Sequence, residues 1–228
     1  MKKTLEIIDL LIVKFNIDIT RLYICGTSMG GFGVFSVLDK EAGRFAGAFS
    51  ICGGGNSETA KNVMRTPLWI FHGSDDDVVP VRLSRDMYQA ILNVGGRHVR
   101  YTEYPGVGHN AWTPAGEEST LDWWLLAQKK GVVRGQPDAV ENFRYEIVNN
   151  NQLKLLWDPP SDTTNPDNQI WYYKVFRNSE LIAEINNTDS SYVDSNLSSS
   201  GTYIYSVAAV NYFFELSKEG ASITVTIP

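Results

Sequence analysis

Over the first 130 residues the apolar positions switch between a helical period and short unbroken runs. Residues 4–15 set Leu5, Ile8, Ile12 and Phe15 on one helical face. Residues 21–25 form a short apolar strand ending at glycine, and residues 30–40 read as a helix. A second strand over residues 45–52 runs into Gly53-Gly54-Gly55, and a third covers 68–71. Residues 82–93 are helical, 98–104 a strand and 116–129 a closing helix. Short apolar strands separated by helices predict an α/β class, with a parallel sheet covered on both faces. Residues 131–137 hold two glycines and a proline and read as a linker. From 138 to 228 the period becomes two, with strands expected at 142–148, 152–157, 171–177, 181–185, 202–211 and 222–227. Turn-forming runs such as Asp158-Pro159-Pro160-Ser161-Asp162 separate them, and no helix is evident. That half predicts a small antiparallel sandwich. The expected domains are therefore 1–130 and 138–228 around the linker.

Of the 228 residues, 43% are hydrophobic and 20% charged, which is globular composition. The net charge is −6 and Lys and Arg do not cluster, which argues against nucleic acid or an anionic membrane as partner. Cys25 and Cys52 are too few for a disulfide framework and read as buried free thiols. Lys2 and Lys3 precede an apolar stretch, but Glu6, Asp9 and Lys14 interrupt it and no small-residue cleavage site follows, so it is not a signal peptide. No run is long enough to span a bilayer.

Candidate chemistry begins at Gly26-Thr27-Ser28-Met29-Gly30. G-x-S-x-G alone is weak, but here it joins an apolar strand to a helix, the setting a nucleophilic serine on a sharp turn requires. The flanking glycines, with Gly31 and Gly33, predict close backbone approach there. A serine hydroxyl needs a base to take its proton. Of three histidines, His109 lies in the loop after the strand of residues 98–104, on the sheet edge that also carries Ser28. His98 sits at the far end of that strand and reads as a surface residue, while His72, directly after residues 68–71, reads either as structural at the strand end or as a residue supporting the site from behind. The loop after residues 68–71 offers Asp75, Asp76 and Asp77 to orient the base. Taken alone, that cluster reads equally well as a turn. The chain order is serine, acid, histidine.

The runs Gly-Thr-Ser-Met-Gly-Gly-Phe-Gly, His-Gly-Ser-Asp-Asp-Asp-Val-Val-Pro and Tyr-Pro-Gly-Val-Gly-His-Asn-Ala-Trp resemble the α/β-hydrolase esterases near polyhydroxybutyrate depolymerases, feruloyl esterases and prolyl-oligopeptidase-like hydrolases. The resemblance covers residues 5–130 and puts the acid, in H-G-x-x-D-x-x-V-P, on Asp76. It implies Ser28, Asp76 and His109 as the catalytic set, the Met29 backbone N–H in the oxyanion hole, and Thr27 and Trp112 as substrate contacts. It implies an ester of a small molecule or polymer as substrate and no cofactor, and no Cys/His spacing suggests a metal. Only about 20 residues precede the serine strand, whereas complete relatives carry three or four strands and a glycine-rich oxyanion loop there. An open sheet edge is therefore expected, covered by a missing N-terminal segment or by a second protomer.

Residues 138–228 resemble a fibronectin type III domain, through Leu-Lys-Leu-Leu-Trp157-Asp-Pro-Pro, Tyr-Tyr-Lys-Val-Phe-Arg and Leu197-Ser-Ser-Ser-Gly-Thr-Tyr203-Ile-Tyr-Ser-Val. Trp157 is expected between the sheets and Tyr203 at a tyrosine corner, while Trp171, Tyr172 and Tyr212 are either core or a sugar-stacking strip. Such modules accompany secreted bacterial hydrolases, which implies an extracellular parent protein. Three functions stay open: a serine esterase, a catalytically incomplete fragment that binds through the second domain, and a serine peptidase.

Overall fold

Local sequence decides where each element of the first half begins and ends. The computed structural model describes residues 2–227 apart from 133, 150, 196, 198, 199, 219 and 220, and its internal contacts separate residues 1–132 from 133–228. The first unit runs α1 (Lys2–Phe15), β1 (Tyr23–Thr27), α2 (Met29–Lys40), β2 (Gly47–Ile51), α3 (Ala60–Val63), β3 (Leu68–Gly73), α4 (Arg82–Asn93), β4 (Val99–Tyr104), α5 (Trp112–Gly116) and α6 (Leu121–Ala127). β1 begins two residues later than its apolar pattern predicts. Asp18 accepts the Thr20 N–H at 2.8 Å and caps a 3₁₀ turn that holds Arg21 out of the strand. The expected closing helix of residues 116–129 is shorter, α6 covering Leu121–Ala127, and a separate helix, α5, precedes it. Gly116 ends α5, a weak helix former at the point where the chain turns. Pro114 fits inside α5 because a first-turn N–H has no intrahelical partner to lose.

The four strands lie in the order β1-β2-β3-β4, all parallel. β3 is buried along its whole length, as a strand covered on both faces must be. Its alternate residues face different layers. Leu68 and Ile70 join Val34, Phe35 and Leu38 of α2 and Met87 and Ile91 of α4 in one core. Trp69 faces the other side, where the Trp124 ring of α6 meets it edge-on at 5.6 Å. Each such side chain contributes roughly 1.5–3 kcal/mol by leaving water. On α1 only part of the expected face packs: Leu5 and Ile8 touch the core, while Phe15 is 62% exposed. Leu10 and Val13 are exposed as well, and among the described residues β1 pairs with β2 alone. Among those residues no helix is long and apolar enough to cross a membrane.

The second unit is a sandwich of antiparallel strands: β5 (Glu141–Asn149), β6 (Gln152–Asp158), β7 (Ile170–Arg177), β8 (Glu180–Asn186), β9 (Ser191–Asp194), β10 (Gly201–Asn211) and β11 (Ala221–Ile227). One sheet is ordered β11-β10-β7-β8 and the other β5-β6-β9, a fibronectin type III-like arrangement. β9, only four residues long, is too short to show in the alternation. Trp157 fills the space between the sheets, its ring 5.3 Å from Tyr173. Trp171 and Tyr172 are buried, with Trp171 stacked on Tyr212 at 5.9 Å and edge-on to Phe214 at 5.2 Å. Trp171 and Tyr172 are core and Tyr212 is half-buried against Trp171, so a strip of three exposed rings is not formed. The run expected to carry the corner of Tyr203 includes Ser198 and Ser199, and the linker includes Val133; these three lie outside the described residues.

Asp194 ties the two sheets together. It is 1% exposed, accepts two bonds from Arg177 Nη1 at 2.8 and 3.1 Å, and accepts the Tyr205 O–H at 2.7 Å. Asp194→Ala strands a guanidinium and a phenol around a cavity. We expect it to destabilise this unit by about 3–5 kcal/mol, read as a lower unfolding midpoint in a denaturant titration of the full chain. Loss of less than about 1 kcal/mol would show the pair to be solvated.

Candidate active site

Ser28 sits between β1 and α2 with φ 56° and ψ −118°, a conformation that β-carbon residues adopt only when their surroundings enforce it. Its N–H donates to the Ile51 carbonyl at 2.8 Å, which pins the turn to the end of β2. Gly26 is required here: a β-carbon on it would lie 2.3 Å from the Gly30 carbonyl oxygen. Gly31 is required as well, since a β-carbon there would lie 2.8 Å from the Gly53 Cα, and α2 could not approach the β2 loop. Gly30 and Gly33 differ from expectation, because a β-carbon on either meets nothing within 4 Å. Gly26→Ala pushes backbone against backbone, and neither side can rotate away. We expect a cost of about 1–3 kcal/mol and a matching fall in thermal midpoint, whereas Gly33→Ala leaves the midpoint unchanged or raises it.

The two loops that follow β3 and β4 are joined backbone to backbone. Asp75 N–H donates to the Val107 carbonyl at 3.0 Å, and Gly106 N–H to Ser74 Oγ at 2.8 Å. Gly73 allows this, as its β-carbon would lie 2.2 Å from the Val107 oxygen. The join brings Asp76 under His109. Asp75 and Asp77 point to solvent while Asp76 is buried, so burial separates three adjacent aspartates.

His109 Nδ1 lies 2.8 Å from Asp76 Oδ2 and 3.1 Å from Oδ1, and its Nε2 lies 3.0 Å from Ser28 Oγ. With Nδ1–H donated to the carboxylate, Nε2 accepts the serine hydroxyl. Asp76 Oδ1 also accepts the N–H groups of Val78 and Val79, at 2.9 and 2.8 Å. Burial works to raise the Asp76 carboxyl, but the Val79 N–H, the His109 ring, the Val78 N–H and the Cys52 thiol outweigh it and hold it at about 2. Asp76 is therefore a carboxylate at any pH where esters are assayed.

Three more residues lie around this line. Cys52, at φ 48°, is buried with its thiol 3.4 Å from the His109 carbonyl. Burial and the neighbouring Asp76 raise that thiol to about 11, so it stays protonated and inert. Cys25, expected to be buried, is exposed, and both thiols are free. His72 and Ser84 are fully buried behind Asp76, joined Nδ1 to Oγ at 2.7 Å. The one cue to His72 is its place four residues before Asp76 in the H-G-x-x-D run. Cys52, His72 and Asp76 bring metal-ligand atom types within 4.8 Å of one another, but these atoms already bond to each other and to the loop. Met29 opens α2, so its N–H belongs to the first-turn amides without an intrahelical partner. Thr27 and Trp112 are exposed beside the line, with the Trp112 ring edge-on to His109 at 5.7 Å.

A parallel sheet whose strand–serine–helix turn, acidic loop and histidine loop meet at one edge defines the α/β-hydrolase class. Residues 1–115 match the phospholipase/carboxylesterase family, and the chain belongs to it; a fibronectin type III-like domain follows. Among curated proteins it is similar to the bifunctional acetylxylan esterase/xylanase XynS20E of Neocallimastix patriciarum, at 37% identity over 75 residues, covering 32% of this chain and 11% of that one. Among solved structures it is similar to a thermostable esterase, at 37% identity and a TM-score of 0.54, covering 56% of this chain and 36% of that one. A fibronectin type III structure, FN3tt mut, matches at 25% identity and a TM-score of 0.33, covering 41% of this chain and 98% of that one. The chain thus spans about a tenth of the curated relative and about a third of the esterase structure.

Proposed function

We propose that the chain is a serine carboxylic-ester hydrolase that works through an acyl-enzyme. The observation that carries this is the position of His109, with Nε2 3.0 Å from Ser28 Oγ and Nδ1 2.8 Å from Asp76 Oδ2. Ser28 Oγ attacks the ester carbonyl carbon while His109 Nε2 takes the hydroxyl proton. The Met29 N–H stabilises the oxyanion at the positive end of α2. As the C–O bond to the leaving alcohol breaks, His109 returns the proton to that oxygen. Water then attacks the acyl carbon, giving its proton to His109, and Ser28 is regenerated as the acid departs. Asp76 holds the ring in the productive tautomer and stabilises the imidazolium. Thr27 and Trp112 flank the substrate.

The name of the curated relative supports acetyl esters on polysaccharide as substrate, and the fibronectin type III-like module fits an extracellular site of action for the parent protein. The exposed setting of Thr27 and Trp112 suits a polymer chain passing over the serine. A second reading has one observation behind it: among the described residues β1 pairs on one side only, which fits a catalytically incomplete unit whose function lies in the sandwich domain. Steady-state hydrolysis of p-nitrophenyl acetate and butyrate beside a p-nitroanilide separates the readings. Ester turnover with the anilide untouched supports the esterase. Turnover of the anilide moves the assignment to a peptidase, and no turnover of either supports the second reading.

A further inference from the structure

His72 lies at the end of β3, and nothing about holding a strand requires its polar atoms. It is fully buried, as is Ser84 of α4 beside it. Burying an imidazole and a hydroxyl in a protein core is costly unless their hydrogen bonds are made. Those bonds specify an arrangement. His72 Nε2 lies 2.9 Å from the Val79 carbonyl oxygen and 3.2 Å from Asp76 Oδ2. Both are acceptors, so Nε2 must carry a proton. Nδ1 lies 2.7 Å from Ser84 Oγ, which in turn lies 3.0 Å from the Gly53 carbonyl oxygen.

These contacts clamp the acidic loop from two directions. Asp76 Oδ1 takes the N–H groups of Val78 and Val79, and the Val79 carbonyl takes His72. The carboxylate is thereby fixed between backbone on one side and a second imidazole on the other, with Oδ2 turned to His109 at 2.8 Å. Without the Nε2–H, the Val79 carbonyl loses its partner, and the loop that presents the Val78 and Val79 N–H groups to Asp76 Oδ1 is no longer tied to β3. We propose that His72 is a positioning residue of this site: it holds the Asp76 carboxylate in the orientation His109 needs, while Ser84 keeps the His72 ring in place. His72 touches neither Ser28 nor the space above it. The inference rests on the hydrolytic reading of Ser28, His109 and Asp76.

The test compares His72→Gln, which keeps an N–H near the Nε2 position, with His72→Phe, which keeps a ring and removes the donor. Two quantities are read on the full chain. One is kcat and KM for p-nitrophenyl acetate. The other is the low-field proton resonance of the His109–Asp76 hydrogen bond, assigned by its absence in Asp76→Ala. His72→Phe is expected to lower kcat about tenfold or more, with KM changed less than about twofold and the resonance shifted or lost, as a displaced orienting group demands. His72→Gln is expected to keep kcat within about threefold of the parent and the resonance in place. A His72→Phe variant with parental kcat and resonance overturns the proposal. So does a His72→Gln variant as impaired as His72→Phe, because ring packing and not the N–H would then matter. If His72→Phe loses its circular dichroism, Ser84→Ala replaces it: a shifted or broadened resonance supports the proposal, and an unchanged one overturns it. Failure of the hydrolytic reading shows separately, as turnover that Ser28→Ala does not reduce, and the resonance still reports on His72.

Discussion

Ser28→Ala is expected to lower kcat for p-nitrophenyl acetate by about 10⁴-fold or more, with KM little changed. In the proposed mechanism the Oγ forms the acyl bond, and the neighbouring Cys52 thiol, buried and held protonated, does not replace it. The fold has little stake in this hydroxyl. Ser28 makes no side-chain cap bond to α2, and among the described residues its hydroxyl bonds to His109 Nε2. Its backbone strain is present with either side chain, so Ala at this position leaves the thermal midpoint within about 1 kcal/mol equivalent of the parent. An intact fold with activity reduced less than about tenfold would remove Ser28 from the chemistry.

The second large effect belongs to Asp76→Asn, expected to cost about 10⁴ in kcat by forcing the wrong tautomer on His109. The hydrogen bonds around the carboxylate leave the amide no choice of orientation. Val78 and Val79 present N–H groups to Oδ1, so the Asn carbonyl oxygen must take that side. The NH₂ then occupies the Oδ2 position, 2.8 Å from His109 Nδ1. An N–H aimed at Nδ1 makes that atom an acceptor and moves the ring proton to Nε2, which can no longer receive the serine proton. Because Asp76 is held at about 2, its carboxylate is present from weakly acid to alkaline pH, and the deficit of the variant should persist across that range. A kcat–pH profile for Asp76→Asn that recovers parental activity at any pH would contradict the tautomer argument.

Much of this site was legible in the residues because each part sits where an apolar strand ends. The serine, the acidic loop and the histidine loop follow β1, β3 and β4, and parallel strands put all three at one edge. Periodicity could not choose among Asp75, Asp76 and Asp77; the family pattern could, and burial of the middle one gives the physical basis. Ser84 and Cys52 were illegible as site residues, and His72 could not be told from a plain strand-end residue, for another reason. Their contacts join β3, α4 and the β2 loop across 12 to 57 positions, and such packing leaves no local trace. In the sandwich, β9 escaped notice because four residues do not establish alternation. Phe15 was expected on the packed face of α1 because periodicity marks a helix face without saying how far along it the core extends.

The central claim, that His109 activates Ser28 as a nucleophile, is tested most directly by treating the full chain with a fluorophosphonate and locating the adduct by peptide mass. The account predicts one phosphonyl group on Ser28 and a labelling rate at least about 100-fold lower in His109→Ala. No adduct, an adduct elsewhere, or labelling of Ser28 at the same rate without His109 would contradict it.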